Sequence, residues 1–159
     1  DIHKKQISVS KTRLRDINNQ IYLSSMLDKF GVSRNDRILI KDLLKREIDP
    51  IIMTLKKEYN RARPYRLDET IKPSIDPPKH PSYPSGHSIQ AYFIGLLLSE
   101  KYPGKKTHYM SVAREIAVNR EYAGVHYSSD TLYGKIIANH LFQHFSNTNN
   151  PLLDFASDD

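Results

Sequence analysis

Two histidines and one aspartate stand where nucleophilic or acid–base chemistry is possible. His126 lies four residues before Asp130 in the segment GVHYSSD, and His87 follows the chain-breaking segment PSYPSG. A carboxylate four residues away can accept the Nδ1 proton of His126, which orients the ring and makes Nε2 more nucleophilic. The alternative is a core histidine whose neighbouring aspartate complements a helix dipole.

The residues around His87 predict a helix start that can bind an anion. Ser85 is a favoured helix N-cap, and Gly86 permits backbone angles that other residues avoid. The apolar segment SIQAYFIGLLLSEKY follows and predicts about four turns of buried helix. Unpaired N–H groups in the first turn of a helix bind anions well. A capped helix start with an incidental histidine is the alternative.

Basic residues recur within the helix predicted over residues 49–63. Lys56 and Arg63 lie seven residues apart, which is about two helical turns, so both are predicted on one face. Lys57 and Arg61 are predicted to point elsewhere. The alternative is a solvated basic face.

Arg120 is predicted to face the core, because it continues the apolar stripe of residues 113–117. A buried arginine is costly unless an anion meets it. The alternative is that the Arg120 guanidinium pairs with a structural carboxylate or reaches solvent at the helix end. Three cations, a helix N-terminus and two histidines together supply what phosphoryl transfer needs, namely oxygen binding, a nucleophile and a proton donor.

Helical periodicity runs through almost the whole chain and predicts an all-α fold. Ser10 and Ser33 are expected N-caps, Gly31 is an expected C-cap, and Asp49 followed by Pro50 predicts a new helix start. The predicted helices cover residues 10–31, 33–47, 49–63, 85–102, 107–122 and 129–145.

A proline-rich loop interrupts this pattern. Residues 64–86 contain six prolines, and structureless segments of this length in compact domains are usually functional. The predicted architecture is therefore a helical bundle with one long proline-rich loop at the active-site end. His80, within the loop, is a candidate for contact with a substrate.

Length and composition indicate one domain of 159 residues, with 38% hydrophobic and 26% charged residues. We divide it into N-terminal helices (1–48), a motif-bearing core (49–145) and a flexible acidic tail (146–159). The chain has no cysteine, which excludes disulfides, thiolate metal sites and cysteine nucleophiles. Its longest apolar run, residues 91–98, is too short to span a bilayer.

Three motifs between residues 56 and 130 together resemble the signature of the phosphatidic acid phosphatase type 2/vanadium haloperoxidase superfamily. They are Lys56-x6-Arg63-Pro64, Pro84-Ser85-Gly86-His87 and Arg120-x5-His126-x3-Asp130. Asn119 stands where the family usually has serine. It is a possible secondary site residue, for which we expect a changed hydrogen bond rather than lost chemistry.

The resemblance implies a soluble, acid-phosphatase-like enzyme that hydrolyses phosphomonoesters. His126 would attack phosphorus and become a phosphohistidine, with Asp130 fixing its tautomer. His87 would protonate the leaving oxygen and then activate water. No metal or other cofactor is implied.

The resemblance also assigns the residues that bind the substrate. The side chains of Lys56, Arg63 and Arg120 would bind the phosphate oxygens, and Ser85 and Gly86 would add hydrogen bonds at the helix start. The expected partner is a small phosphate ester, whose identity the sequence leaves open, as it does the oligomeric state. A periplasmic or secreted location is slightly favoured by the resemblance.

A vanadium-dependent haloperoxidase, holding vanadate at the same site, is the nearest alternative function. Known haloperoxidases of the family are much larger, and this chain lacks tryptophan, which removes one aromatic option for a halide pocket. Orthovanadate should inhibit a phosphatase but support peroxide-dependent bromination by a haloperoxidase.

A basic helical module that binds nucleic acid is the remote alternative. Residues 1–66 contain 16 Lys and Arg against 8 Asp and Glu, which favours anionic partners. However, the unusual cations are predicted to face inward rather than to form an outer stripe that follows a phosphate backbone. We therefore expect no nucleic-acid partner.

Overall fold

The computed structural model describes residues 2–7 and 9–148, and within these ranges the chain is helical and has no strand. The all-α prediction is confirmed. The helices are α1 (Ile2–Ile7), α2 (Lys11–Asn19), α3 (Leu23–Phe30), α4 (Arg34–Leu43), α5 (Asp49–Tyr59), α6 (Pro64–Leu67), α7 (Gly86–Lys101), α8 (Lys106–Tyr122) and α9 (Ser128–Ser146).

Helix α7 is the centre of the bundle, and it packs mainly against α8 and α9. Its side chains are buried on nearly every face, Phe93 and Ile94 completely, as expected for a helix that is apolar all round. Gly95 permits a close approach to α8, since a Cβ there would lie 3.3 Å from the Cβ of Ala113. No helix in the described part of the chain is long and apolar enough to cross a membrane.

Several predicted helix boundaries are present in the structure. Ser10, Ser33 and Ser85 each accept a hydrogen bond from the backbone N–H three residues later, at 3.1 to 3.3 Å. Gly31 ends α3 in the left-handed conformation, with φ of 70°, which glycine adopts without steric cost.

The single helix predicted over residues 10–31 is wrong, because the chain leaves the helix at residues 20–22 and forms α2 and α3. The break leaves carbonyl groups near the end of α2 without helical partners. The carbonyl of Ile17 accepts from Arg120 at 2.7 Å, and that of Ile21 lies 3.3 Å from Nε2 of His87. Distant side chains thus take over the hydrogen bonds that a continuous helix would make.

The predicted helix over residues 49–63 is wrong at both ends. Helix α5 follows α4 through a π-helical turn (Leu44–Ile48) rather than starting anew. In a regular helix the Pro50 ring would clash with the carbonyl four residues earlier, and the wider turn relieves this clash. At the other end, Asn60 is left-handed with φ of 46°, so α5 stops at Tyr59.

Irregular chain follows the short helix α6 and covers residues 68–85 up to the start of α7. The tail predicted to begin at residue 146 begins one residue later, because α9 includes Ser146. The rest of the predicted acidic tail, residues 149–159, lies outside the described residues.

Replacing Gly134 by alanine tests how tightly α9 packs on the start of α7. A Cβ at Gly134 would lie 2.7 Å from the Cβ of Ser88 and 3.1 Å from the carbonyl oxygen of Ser85. Neither atom is the end of a flexible side chain, so we expect the helices to shift at a cost of about 1–3 kcal/mol in unfolding free energy. Thermal unfolding should show this as a Tm lower by roughly 2–4 °C per kcal/mol.

Gly104→Ala is the matched control, because a Cβ at Gly104 meets nothing within 4 Å. An unchanged Tm in Gly134→Ala would contradict the packing described.

Candidate active site

A cavity of about 290 Å³ opens between α5, the start of α7 and the irregular segment before α7. Six of the residues singled out in the sequence line it, and they come from five separate parts of the chain. These residues are Lys56, Arg63, His80, Gly86, His87 and His126.

His126 and Asp130 form a buried pair at the start of α9. Nδ1 of His126 lies 3.1 Å from Oδ2 of Asp130. The same oxygen accepts from the Tyr127 backbone N–H at 3.0 Å and from the Ser82 hydroxyl. Burial alone would raise the pKa of Asp130, but hydrogen bonds from His126 and Ser82 lower it to about 2. The carboxylate therefore holds the Nδ1–H tautomer and leaves the Nε2 lone pair of His126 available.

The pKa of His126 is low for a histidine beside a carboxylate. Burial lowers it to about 4, against the opposing effect of the hydrogen bond to Asp130. NH1 of Arg63 lies 3.3 Å from Nε2 and adds a positive charge. The ring of His126 is therefore mostly neutral above about pH 4, and the neutral ring is the form of histidine that can act as a nucleophile.

Arg63 is held by main-chain oxygens on both sides of the cavity. Nε donates to the carbonyl of His80 and NH1 to that of Val125, each at 2.9 Å. NH2 lies 3.2 Å from Nδ1 of His80 and 3.3 Å from the carbonyl of Pro81. Burial lowers the pKa of Arg63, and that of His80 is lowered by partial burial and by Lys56 and Arg63.

Lys56 crosses from α5 to the irregular segment before α7. Its ammonium donates to the carbonyl oxygens of Pro84 at 2.7 Å and Pro81 at 2.9 Å, with that of Ser82 at 3.5 Å. The side chain is 1% exposed. Burial and the charge of Arg63 lower the pKa of Lys56 to about 7.

The start of α7 contacts α5 directly. A Cβ at Gly86 would lie 3.4 Å from Cγ2 of Ile52 and 3.8 Å from Cε of Lys56, which is ordinary van der Waals contact. Ser85 is fully buried, and its hydroxyl oxygen caps the helix through the Ser88 N–H. His87 lines the cavity, and burial, followed by the charges of Arg120 and His126, lowers its pKa to about 3.

Arg120 and Asn119 do not line the cavity. Arg120 is 1% exposed, and its Nε and NH1 have no hydrogen-bond partner among the described residues. Burial lowers the pKa of Arg120 to about 10. Both polar atoms of the Asn119 amide are hydrogen-bonded. Nδ2 donates to Oε1 of Gln20 at 2.8 Å, and Oδ1 accepts from NH1 of Arg13 at 2.9 Å. Asn119 thus ties α8 to α2.

The prediction that Arg61 points away from the site is wrong, because its side chain contacts Asp130. Because α5 ends at Tyr59, Arg61 and Arg63 lie in extended chain and share no helix face with Lys56. NH1 of Arg61 donates to Oδ1 of Asp130 at 2.7 Å and to the hydroxyl of Ser129 at 2.8 Å.

Ser82, Asp49 and Gln90 are further site residues that sequence reasoning missed. Ser82 hydrogen-bonds Asp130, and the other two line the cavity. The pairing of Asp49 with α7 has no local sequence signal, because it joins residues 41 positions apart.

The chain is similar in sequence to known acid phosphatases. The chain is 33% identical over 104 residues to an acid phosphatase of Zymomonas mobilis subsp. mobilis, covering 63% of this chain and 39% of that protein. It is 33% identical over 86 residues to a non-specific acid phosphatase of Salmonella typhimurium, covering 52% and 34%. The chain thus matches less than half the length of either relative.

The fold is similar to that of a transmembrane PAP2-type phosphatidylglycerolphosphate phosphatase from Bacillus subtilis. The TM-score is 0.57 at 22% identity, over 90% of this chain and 80% of that one, and at this identity the likeness concerns the fold alone. The family model of the PAP2 superfamily matches residues 48–150. Because this match covers more than half of the chain, the protein belongs to the PAP2 superfamily.

Proposed function

We propose that this chain is a phosphatase that hydrolyses small phosphomonoesters through a phosphohistidine on His126. The observation that carries the proposal is the contact between Nδ1 of His126 and Asp130, in a cavity lined by Lys56, Arg63 and His87. This contact favours the Nδ1–H tautomer, so the lone pair of His126 is on Nε2, 3.3 Å from NH1 of Arg63. The names of the acid phosphatases that the chain resembles support the same reaction class.

The reaction has two displacements at phosphorus. In the first, Nε2 of His126 forms a bond to phosphorus while the bond to the leaving oxygen breaks, and His87 gives that oxygen a proton. In the second, His87 takes a proton from water, whose oxygen attacks phosphorus and releases phosphate from His126. Asp130 stabilises the positive charge that the ring carries in the intermediate.

The cations would stabilise the charge on the three equatorial oxygens, a role that Mg²⁺ often has in phosphoryl transfer. Lys56 and Arg63 line the cavity. Two buried nitrogen atoms of Arg120, Nε and NH1, have no acceptor among the described residues, a costly condition that an anion would relieve. The proposal therefore gives no step to a metal ion.

Substrate binding would also prepare His87 as the acid. Burial and nearby positive charge hold its pKa at about 3, too low to carry a proton at neutral pH. A phosphate dianion beside it opposes the cationic field and raises this pKa. Protonation of His87 is thereby coupled to arrival of the substrate.

Trapping the intermediate tests the proposal directly. In EDTA, 32P-labelled p-nitrophenyl phosphate should label the protein through a base-stable, acid-labile bond, and His126→Ala should abolish both labelling and turnover. His87→Asn should still be labelled, because p-nitrophenol leaves with little need for an acid. Its label should turn over roughly 10²–10⁴-fold more slowly, because water lacks its base.

His140→Ala, on α9 and away from the cavity lining, is the control and should behave as the unmodified protein does. Labelling or near-normal turnover by His126→Ala would refute the assignment.

The pH dependence of kcat/KM should report the charge of Lys56. Its pKa is about 7, so the ammonium is charged below pH 7 and loses its proton as the pH rises through 7. Phosphate binding should weaken above that value, and kcat/KM should fall. In Lys56→Arg the charge persists, so the decline should move to higher pH although the absolute rate drops.

Lys57→Arg, the exposed neighbour on α5, is the matched control and should keep the original decline. A decline at the same pH in Lys56→Arg would assign it to a different group.

Arg61 would act as a positioning residue through Asp130. Oδ1 of Asp130 accepts from Arg61, while Oδ2 lies 3.1 Å from Nδ1 of His126, so the guanidinium restrains the carboxylate that orients the imidazole. The guanidinium also lies 5.1 and 5.4 Å from the ring centres of Tyr83 and Tyr127. These rings restrict its movement.

Arg61→Gln should lower kcat about tenfold with little change in KM, because Arg61 is not in the cavity lining. Loss of the guanidinium should also raise the pKa of Asp130 and shift the acid limb of kcat to higher pH. Arg61→Lys should recover part of the rate, and Arg66→Gln serves as the matched control. Equal rates and pH profiles for Arg61→Gln and Arg66→Gln would show that Arg61 has no positioning role.

A further inference from the structure

The cavity has an acidic end that the proposed chemistry does not use. Asp49 lies on the same face of α5 as Lys56, two turns earlier, and both line the cavity. Gln90 lies on α7 one turn after His87 and also lines it. Nε2 of Gln90 donates to Oδ1 of Asp49 at 2.9 Å, joining the two helices.

Asp49 and Gln90 line the same cavity as His87, the proposed acid for the leaving group. In-line displacement places the leaving oxygen opposite His126, beside the acid His87. Atoms attached to that oxygen continue along the wall of the cavity. The next polar groups along α7 and α5 are Gln90 and Asp49.

Apart from the second N–H of Gln90, the pair offers acceptors. Oδ2 of Asp49 and Oε1 of Gln90 receive no hydrogen bond from the residues that the structure describes. Asp49 is half-buried, so its charge is only partly screened by water. Met53 and Pro78 supply apolar lining to the same cavity, suited to the methylene groups of a short alcohol.

We propose, on the basis of the phosphatase function above, that Asp49 and Gln90 form a leaving-group subsite for alcohols that carry an ammonium group. The same subsite disfavours alcohols that carry a carboxylate or a second phosphate. The substrate class is thus phosphorylated amino alcohols. Asp49 and Gln90 would bind the ammonium group, and the cations would bind the phosphate.

The nearby basic surface does not compete for the leaving group. Arg66 and Lys79 line a neighbouring groove that shares Arg63 and His80 with the cavity, but neither His87 nor His126 lines that groove. A leaving group protonated by His87 would therefore not extend into it.

Three substrates of nearly equal size test the proposal: phosphoethanolamine, 2-hydroxyethyl phosphate and phosphoglycolate, which end in an ammonium, a hydroxyl and a carboxylate. The expected order of kcat/KM is ammonium, hydroxyl, carboxylate, with about tenfold between the first and the last, mostly in KM. In Asp49→Asn this ratio should fall to about twofold.

Glu58→Gln is the matched control, because it removes the same charge from the exposed side of α5 and should keep the tenfold ratio. If Asp49→Asn does not fold, Gln90→Lys tests the same subsite. The ammonium group that this substitution introduces would neutralise the charge of Asp49, and the preference for phosphoethanolamine over phosphoglycolate should be lost.

Hydrolysis of all three substrates at equal kcat/KM, or a preference for phosphoglycolate, would overturn the subsite and leave the phosphatase function standing. An unchanged ratio in Asp49→Asn would overturn it as well. Absence of hydrolysis for every substrate and for p-nitrophenyl phosphate would overturn the proposed function and this inference with it.

Discussion

Burial of three cations without neutralising partners is the constraint on which the structure depends. Lys56, Arg63 and Arg120 are almost fully buried, and in the described chain none of them pairs with a carboxylate. Main-chain carbonyl oxygens accept hydrogen bonds from all three side chains instead, although Nε and NH1 of Arg120 have no partner among the described residues. Carbonyl dipoles partly replace the water that a buried charge loses, yet they leave its net charge in place. The three side chains therefore keep a net positive charge that can attract an anion.

The carbonyl groups that accept hydrogen bonds from the buried cations lie in irregular segments and near helix ends. Carbonyl oxygens within a helix are already hydrogen-bonded, so a buried cation finds acceptors at helix ends and in loops. The segment before α7 supplies them to Lys56 and Arg63, the turn before α9 supplies Val125 to Arg63, and the end of α2 supplies Ile17 to Arg120. Helices α7, α8 and α9 provide the rigid frame against which these segments are fixed.

Two carboxylates of the described chain, Asp130 and Asp49, lie near these cations, and each has a distinct place. Asp130 lies behind His126 and fixes its tautomer, with Arg61 on its outer oxygen. Asp49 lies in the cavity lining on α5 with Gln90. In the proposed function, this separation would leave the phosphate next to cations and the leaving group next to an acidic side chain. Such an arrangement suits a substrate whose phosphate and leaving group carry opposite charges.

The sequence by itself determined the all-α class, most helix caps and the motif residues, because helical periodicity and capping depend on neighbours within a few positions. It also indicated the pairing of His126 with Asp130, which are four residues apart. Only the tertiary structure decided that Arg61 reaches Asp130, that Asn119 binds Gln20 and Arg13, and that Arg120 lies outside the cavity lining. These outcomes depend on how helix ends and loops pack, which couples residues far apart in the chain and leaves no periodic signal in the sequence.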